Sequence, residues 1–263
     1  MAGSEYEKRE AKWREVEARY ETRASTATGA VVVRLDGRAF HTLTKGMDKP
    51  FDLRMVAAME SAALSAADAV NGCLLAYWQS DEISLVFPSR PSETGGAAEG
   101  VLPFGGRAQK LSSVLASAAA VGFVRAMPEA PGTPCFDGRV LVADTPGEVG
   151  DYLAWRIADS RKNAISSAAH ALFGHSRLVG VGTAERRRML EGTEWETVPE
   201  DFYHGKVAAK EPYETHVTWV DREGNRHEAD ATRHRWEIRA ATDDVVSEME
   251  GRIASVVAGG GRR

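Results

Sequence analysis

The chain has 263 residues, of which 43% are hydrophobic and 27% are charged, and its formal net charge is −5. This composition suits one or two soluble domains with a sizeable core and argues against disorder over most of the chain. The negative net charge excludes a globally basic nucleic-acid binder, so any contact with nucleic acid must use local basic patches.

Two further classes of protein are disfavoured. No apolar run approaches the roughly 20 residues that a membrane-spanning helix needs, and the charged residues 5–19 are the opposite of a secretory signal. We therefore expect a cytoplasmic protein. Cys73 and Cys135 are far apart and lack metal-ligand spacing, so neither a disulfide scaffold nor a zinc site is indicated.

The first part of the chain predicts a helix, a strand and a second helix. Residues 5–24 place aromatic side chains at helical spacing among charges, which indicates an amphipathic helix packed on the main domain. Residues 31–35 form a β-branched run without alternation, as expected for a strand that is covered on both faces. Apolar positions in residues 52–70 step by three and four, which predicts a helix that ends before Gly72.

The middle of the chain predicts a hairpin, a helix and a strand. Residues 74–78 and 83–87 are two apolar runs joined by a short connection, which favours an antiparallel hairpin. Residues 107–127 predict an alanine-rich helix, and residues 139–143 a fourth strand. The glycine-rich residues 95–100 are typical of a mobile insertion, because no phosphate-loop pattern is present.

The last part of the chain is less regular. The predicted elements are a long helical region at 150–173, a basic helix at 183–192, a short strand at 206–210, strands at 215–220 and 234–238 that pair around a turn at 221–225, and a helix at 243–257.

The order strand, helix, strand, strand, helix, strand predicts the α+β class, with a ferredoxin-like βαββαβ palm domain, added helices and a small C-terminal extension. In that topology the first and third strands are antiparallel neighbours. Asp36 ends the first, and Asp81 and Glu82 begin the third, so we expect these carboxylates at one end of the sheet. Palm nucleotidyltransferases use this arrangement to hold two Mg²⁺ ions roughly 3.5–4 Å apart.

Neighbouring residues support a ligand site. Gly37 permits close approach to the main chain, Arg38 offers a charge to phosphate, and the N–H groups after Gly37 suit an anion-binding turn. The alternative is that Asp36-Gly37 is an ordinary turn and that Asp81 and Glu82 are solvated residues at a hairpin tip.

The sequence resembles the tRNA-His guanylyltransferase family, in particular its bacterial and phage guanylyltransferase-like branch. The resemblance covers roughly residues 8 to 213, and the matching stretches are residues 34–41, 49–52, 77–84, 106–111, 113–117, 136–140 and 152–156.

This resemblance implies an enzyme that extends RNA in the 3′-to-5′ direction. The 5′-monophosphate end of a tRNA is activated with ATP or GTP, and the 3′-hydroxyl of an incoming nucleotide, preferably GTP, then attacks the activated phosphate. ATP and GTP would be substrates, two Mg²⁺ ions cofactors and tRNA the partner. The protein would be a homo-oligomer, either a dimer or a tetramer, with its amphipathic and alanine-rich helices buried between subunits.

The resemblance also implies roles for residues. Asp36, the Gly37 carbonyl and Asp81 would bind Mg²⁺, with Glu82 in a supporting catalytic role. The residues implied for nucleotide binding are Asp36, Gly37, Arg38, Ala39, Phe40, His41, Lys49, Ser80 and Asp81. The residues expected to contact phosphate or RNA are Arg107, Lys110, Arg161, Lys162, Asn163, Arg186, Arg187 and Arg188, although basic residues of this kind are more often part of a solvated face.

One stretch departs from the family pattern. Eukaryotic members carry a His-Ile-Asn-Asn run where this chain has Ser160, Arg161, Lys162 and Asn163, which lacks the histidine. The departure puts strict guanylate addition to tRNA-His in doubt. It favours template-dependent addition or 5′-end repair on a wider set of RNAs.

We expect four segments: an N-terminal helical arm at 1–30, a catalytic palm core at 31–145, a C-terminal helical part of the family domain at 146–213, and an extension of unknown role at 214–263. Two other functions stay open. One is a palm-fold nucleotide cyclase, which would need the same acids but no RNA, and the other is a non-catalytic tRNA-binding protein.

Overall fold

The structure is a computed structural model that describes residues 5–26, 28–89 and 102–259, with side chains from residue 9 onward. The glycine-rich insertion predicted at residues 95–100 lies outside the described residues. In the part of the chain that is described, no helix has both the length and the apolar character to cross a membrane.

Six strands form one antiparallel sheet in the order β4-β1-β3-β2-β5-β6. The strands are β1 Ala30–Gly37, β2 Leu75–Gln79, β3 Glu82–Pro88, β4 Phe136–Ala143, β5 Lys206–Val220 and β6 Arg226–Ala240. The order of the first four strands, 4-1-3-2, is that of the ferredoxin-like fold. The predicted α+β palm is therefore confirmed, and β5 and β6 extend its sheet at the β2 edge.

The helices cover both faces of this sheet. They are α1 Glu5–Tyr20, α2 Phe40–Leu43, α3 Leu53–Asp68, α4 Ala108–Ala126, α5 Pro146–Leu178, α6 Thr183–Met189, α7 Glu200–Tyr203 and α8 Asp243–Val257. Most lie close to the predicted bounds. In α5, Gly174 has φ 72°, so the regular part of the helix stops next to its predicted end at residue 173.

Alternate residues of β1 enter two different cores. Val31, Val33 and Leu35 pack with α3 and α4 on one face, whereas Val32 packs with α5 and α8 on the other. Because both faces are covered, β1 has no need for polar residues at alternate positions, which explains its unbroken apolar run. A third, smaller core joins the end of α5 to α6 and α7.

The prediction that the N-terminal helix packs on the main domain is wrong for the single chain. Every described side chain of α1 is exposed except Glu10 and Val16, which are half-buried. Trp13 and Tyr20 are 60% and 75% exposed. The apolar stripe is present, but no part of the described chain covers it.

The prediction of a short strand at 206–210 and a separate one at 215–220 is also wrong, because β5 is continuous. Residues 215–220 pair with 226–231, and residues 234–238 pair with 208–212 instead. Pro212 is tolerated within β5 because β2 ends opposite Ala209 and leaves that edge unpaired. The boundary expected between residues 213 and 214 thus falls inside one strand.

Candidate active site

The strand register brings the predicted carboxylates to one end of the sheet. Asp36 lies opposite Glu82 on β3, and the Gly37 N–H donates to the Asp81 carbonyl over 2.9 Å. The same register places Asp137 of β4 on the other side of Asp36. The chain order alone did not indicate this fourth acid, although its position at the start of a strand was a usable signal.

Gly37 is required by close packing. A Cβ atom at this position would lie 2.5 Å from Phe40 Cδ2 and 2.8 Å from Asp81 Cβ. No other residue type fits without displacing one of these groups. The absence of a side chain lets β1 and the turn before β3 approach each other, so the two acids lie close together.

The charge of Asp36 affects the ionisation of Asp81. Burial raises the pKa of Asp81, and the negative charge of Asp36 raises it further, while Ser80 and His41 oppose the shift. Two carboxylates that share a half-buried site disfavour ionisation of both at once. A cation between them would relieve this repulsion.

The donor set fits a hard divalent cation such as Mg²⁺. Asp36, Asp81 and the Gly37 carbonyl would supply oxygen ligands. Across the described ranges, no group of three or more His, Cys, Asp or Glu side chains is arranged to hold a metal ion. Mg²⁺ is usually bound by one or two carboxylates together with substrate phosphates and water, so a two-carboxylate site is sufficient for it.

Glu82 is engaged differently from the two aspartates. It is 5% exposed, and its two oxygens accept hydrogen bonds from Nε and Nη2 of Arg156 over 2.6 and 2.8 Å. Burial raises the pKa of Glu82, and this bidentate contact opposes the rise. Because both oxygens are occupied, Glu82 acts on the site by holding Arg156 and β3.

Arg156 was not singled out from the sequence, although it lies in a stretch that carries the family resemblance. It also donates to Asp159 over 3.0 Å, and its guanidinium lies 4.3 Å from the centre of the Trp155 ring. Arg34 is on the other side of Glu82, with Nε 3.9 Å from Oε2 and 5.6 Å between its guanidinium carbon and the Trp155 ring. Arg34 Nε is buried and has no hydrogen-bond partner among the residues that the structure describes.

The predicted nucleotide turn divides into core and surface. Phe40 is buried, with its ring centre 5.4 Å from that of Phe123, so its side chain is not available to a ligand. The Arg38 N–H donates to the Cys135 carbonyl, which removes it from the expected anion-binding turn. The side chains of Arg38, Ala39 and His41 are exposed.

A pocket of about 230 Å³ includes Ser80, the residue before Asp81, in its lining. Two other predicted residues, Lys49 and Asn163, also line it. Its other walls include Phe51 and Phe202, whose rings stack 3.9 Å apart. Asp36 and Asp81 themselves are not among its lining residues, so Ser80 is the link between the pocket and the acids.

Arg107 and Lys110 are at the start of α4 and do not line this pocket. Arg107 lies 3.5 Å from Glu21, and the Lys110 amine lies over the Phe104 ring. Two residues after Lys110, Ser112 packs against Gly138, which follows Asp137 in β4. Contact of Arg107 and Lys110 with phosphate or RNA stays a prediction.

The other predicted basic residues have mixed environments. Arg161 donates to Asp243 over 2.8 Å and contacts the His204 ring, whereas Lys162 is exposed. Arg186 donates to the carbonyls of Val181 and Leu178, so it fixes the end of α5.

Arg187 donates to the Tyr203 hydroxyl over 3.0 Å, and Arg188 pairs with Glu185 at the surface. The basic triple is therefore one structural arginine followed by two exposed ones.

Comparison with known proteins identifies relatives of this chain. A sequence profile of the family described as tRNAHis guanylyltransferase matches residues 11–144. The chain is 34% identical over 147 residues to a probable tRNA(His) guanylyltransferase of Drosophila melanogaster, which covers 53% of this chain and 48% of that protein. It is 29% identical over 202 residues to the tRNA(His) guanylyltransferase of Schizosaccharomyces pombe, covering 69% of this chain and 74% of the relative.

Solved structures of similar proteins point to the same family. A bacterial tRNA(His) guanylyltransferase-like protein in complex with ATP has a TM-score of 0.76 and 29% identity, covering 94% of this chain and 97% of that one. The corresponding complex with GTP has a TM-score of 0.66 and 27% identity. The chain thus spans about half of the length of the Drosophila relative (48%) but nearly all of the bacterial one (97%).

Proposed function

Because the chain belongs to the tRNAHis guanylyltransferase family, we propose that it is a metal-dependent nucleotidyltransferase that extends the 5′ end of tRNA in the 3′-to-5′ direction. The 5′ end is activated with ATP or GTP, and the nucleotide then added is preferably GTP. The observation that carries the proposal is the meeting of Asp36 and Asp81 around Gly37 at one end of a palm sheet.

In this proposal, Asp36, the Gly37 carbonyl and Asp81 would hold two Mg²⁺ ions. Bound Mg²⁺ would supply Lewis-acid stabilisation of charge on the phosphate oxygens. Ser80 and Lys49, at the rim of the adjoining pocket, would contact the triphosphate, together with the exposed residues Arg38, Ala39 and His41. The protein would hold the reacting phosphate in line with the 3′-hydroxyl of the incoming nucleotide and would prevent other orientations of the two groups.

Glu82 has a positioning role in this scheme. Its bidentate contact with Arg156 fixes β3 directly after Asp81, so the Asp81 carboxylate keeps a defined distance from Asp36. The proposal therefore assigns metal contact to two aspartates and support to the glutamate.

In this proposal the enzyme acts on a wider set of RNAs than tRNA-His. The reaction is template-dependent addition or 5′-end repair. Lys162 is exposed and Asn163 lines the pocket, so both are available to RNA near the nucleotide. Arg187 and Arg188 are exposed at a second position. Such contacts with phosphate position an RNA without specifying its sequence. The proposal also places the protein in the cytoplasm, as a homo-oligomer.

The test uses a 5′-monophosphorylated tRNA that lacks its first nucleotide. Incubation with ATP, GTP and Mg²⁺ should lengthen this tRNA by one or more nucleotides at the 5′ end, and chelation of the metal should stop the reaction. Parallel reactions with tRNA-His and with other tRNAs measure the breadth of substrate choice.

Two outcomes would contradict the proposal. Formation of a cyclic nucleotide without RNA elongation would identify a palm-fold cyclase. Tight binding of tRNA without elongation under any combination of nucleotides and metal would identify a non-catalytic binding protein.

A further inference from the structure

The β5–β6 hairpin extends far beyond the rest of the sheet. β5 pairs with β2 only from Lys206 to Ala209, and residues 211–220 then pair with 226–235 alone among the described residues. At about 3.3 Å per residue, the free part is about 35 Å long. An isolated two-stranded ribbon is marginally stable in water, so a ribbon of this length is expected to have a binding partner.

The two faces of this free ribbon differ in charge. One face, here called the acid-free face, consists of Tyr213, Thr215, Val217, Trp219, His227, Ala229, Ala231 and Arg233. The opposite face consists of Pro212, Glu214, His216, Thr218, Glu228, Asp230, Thr232 and His234. All three acids of the paired segments between these limits, Glu214, Glu228 and Asp230, therefore point to one side.

The opposite face satisfies its own polar groups. The Thr232 hydroxyl donates to Glu214 over 2.7 Å, and the His216 ring lies 2.9 Å from Asp230. These cross-strand pairs are those of an ordinary solvated surface.

The acid-free face leaves its cations and aromatic rings available. Within the described ranges, the Arg233 side chain has no hydrogen-bond or ion-pair partner. Next to it, Arg235 lies 5.5 Å from the Tyr213 ring centre. Trp219 is 49% exposed and stacks on His227 with ring centres 5.4 Å apart.

Two of the acids that flank this face are paired. Glu211 at its base forms an ion pair with Arg252 of α8. Asp221 at the tip accepts from the His227 ring and from the N–H groups of Glu223 and Asn225. Glu237, two residues beyond Arg235 on the same side of β6, is exposed, so the acid-free face ends at this acid.

We infer that the acid-free face binds the body of the RNA substrate, at a distance from the reacting 5′ end. Exposed aromatic rings and guanidinium groups without acids are the features that hold RNA, by stacking and by contact with phosphate. The alternative is that this face binds the same face of a second copy of the chain. The arginines of the two copies would then lie together with no acids to neutralise them.

The position of the face agrees with this role. Val207 and Ala209 belong to the same row of β5 and pack in the core that contains Val32, so the row lies on the same side of the sheet as Asp36. Lys206 is level with the end of the sheet that carries the acids, which places Tyr213 to Trp219 about 25 to 45 Å from that end. An RNA of tRNA size would contact both places, whereas a few base pairs of RNA would not.

The test compares two double variants that each remove two charges from the same hairpin. Arg233→Gln/Arg235→Gln changes the acid-free side, and Arg222→Gln/Arg226→Gln changes the turn and the opposite side. Kd for 3′-labelled tRNA is measured at several salt concentrations on the full-length protein. Nucleotide addition is measured on intact tRNA and on a 5′-phosphorylated hairpin RNA of a few base pairs.

The first variant should bind tRNA roughly tenfold more weakly, with the slope of log Kd against log salt reduced by about two. Addition to the short hairpin RNA should be unchanged. Arg233→Lys/Arg235→Lys should keep the salt slope, and Trp219→Ala should weaken binding without changing the slope. The control variant should bind like the wild type, and thermal unfolding shows whether each variant is folded.

Equal tRNA affinity of the two double-glutamine variants would overturn the inference. So would a change of oligomeric mass in the first variant, because the face would then be an interface between copies. The inference rests on tRNA being the substrate, but the two can fail separately. If the wild type adds nucleotides to tRNA while both variants bind it equally, the hairpin inference alone is wrong, and if no protein adds nucleotides, the proposed activity is wrong.

Discussion

At the scale of single residues, the three acids at the end of the palm differ in what their environments allow. Asp36 and Asp81 are half-buried and near each other, and their mutual repulsion raises the pKa of Asp81 in addition to the effect of burial. The carboxylate of Glu82 is not available to a ligand in the same way, because Arg156 occupies both of its oxygens. Adjacent residues of one sequence motif therefore have different chemistry.

Replacement of Asp36 or Asp81 by Asn should lower the rate of nucleotide addition by at least about 10²-fold, because either change removes a charged metal ligand. Stability should be unchanged or slightly higher, since the repulsion between the two carboxylates is lost. Asp137→Asn is the matched control, because Asp137 is the exposed neighbour of Asp36 on β4. Near-normal activity of either variant in single-turnover assays would exclude the proposed metal site.

Arg156→Met should destabilise the fold by about 3–5 kcal/mol, because the buried Glu82 would lose its bidentate partner and keep only Arg34, whose Nε lies 3.9 Å away. The double variant Glu82→Gln/Arg156→Met should recover much of this loss. Arg139→Met serves as the control, since its pair with Asp137 is exposed and expected to contribute at most about 1 kcal/mol. Urea unfolding measures all four proteins, and equal stabilities of the two single arginine variants would contradict the buried-pair interpretation.

At the scale of elements, the start of α3 forms one wall of the pocket and depends on one cap. The Asp52 carboxylate accepts hydrogen bonds from the N–H groups of Arg54 and Asp48 and from the Arg54 side chain. The side-chain hydrogen bond from Arg54 is the main reason that the pKa of Asp52 lies well below its ordinary value of 3.8. Because the folded state favours the ionised carboxylate, this contribution to stability is present at neutral pH and lost in acid.

Asp52→Ala should lower the free energy of unfolding by about 1–2 kcal/mol at pH 7, as expected for loss of a helix N-cap. The difference from the wild type should shrink as the pH falls below the ordinary aspartate pKa of 3.8, where the unfolded wild type takes up a proton. Denaturant unfolding over a pH series measures this, with Asp48→Ala as the control at an exposed aspartate. A difference that stays constant with pH would show that the carboxylate charge is not involved.

At the scale of the whole molecule, two parts of the structure project without being covered by any of the described residues. One is the free end of the β5–β6 hairpin, and the other is α1, whose Trp13 and Tyr20 are 60% and 75% exposed. A row of large apolar side chains on an exposed helix is typical of a surface that another protein covers. The proposed homo-oligomer would use α1 in this way.

Light scattering should therefore give the wild type a mass that is a multiple of 28.5 kDa. Trp13→Ala/Tyr20→Ala should shift this mass towards the monomer, because about two large apolar contacts per copy are lost. Glu17→Gln, at an exposed position of the same helix, should leave the mass unchanged. A wild-type protein with the mass of one chain at micromolar concentration would contradict the proposed assembly.

Local patterns in the sequence were enough to predict the palm. The apolar periodicity of residues 52–70 and the β-branched run at 31–35 mark α3 and β1 because helices and strands repeat their side-chain directions at fixed periods. The order of these elements then allowed few topologies, so the meeting of Asp36 and Asp81 also followed from the sequence.

The partner of Glu82, the continuity of β5 and the isolation of α1 were decided only by the tertiary structure. Arg156 lies 74 residues from Glu82, and whether two such groups meet depends on how α5 packs on the sheet. The edge of β5 at Pro212, which no described strand pairs with on the β2 side, depends in the same way on where a neighbouring element ends. A sequence specifies local periodicity directly, whereas contacts between distant residues are set by close packing of the whole fold.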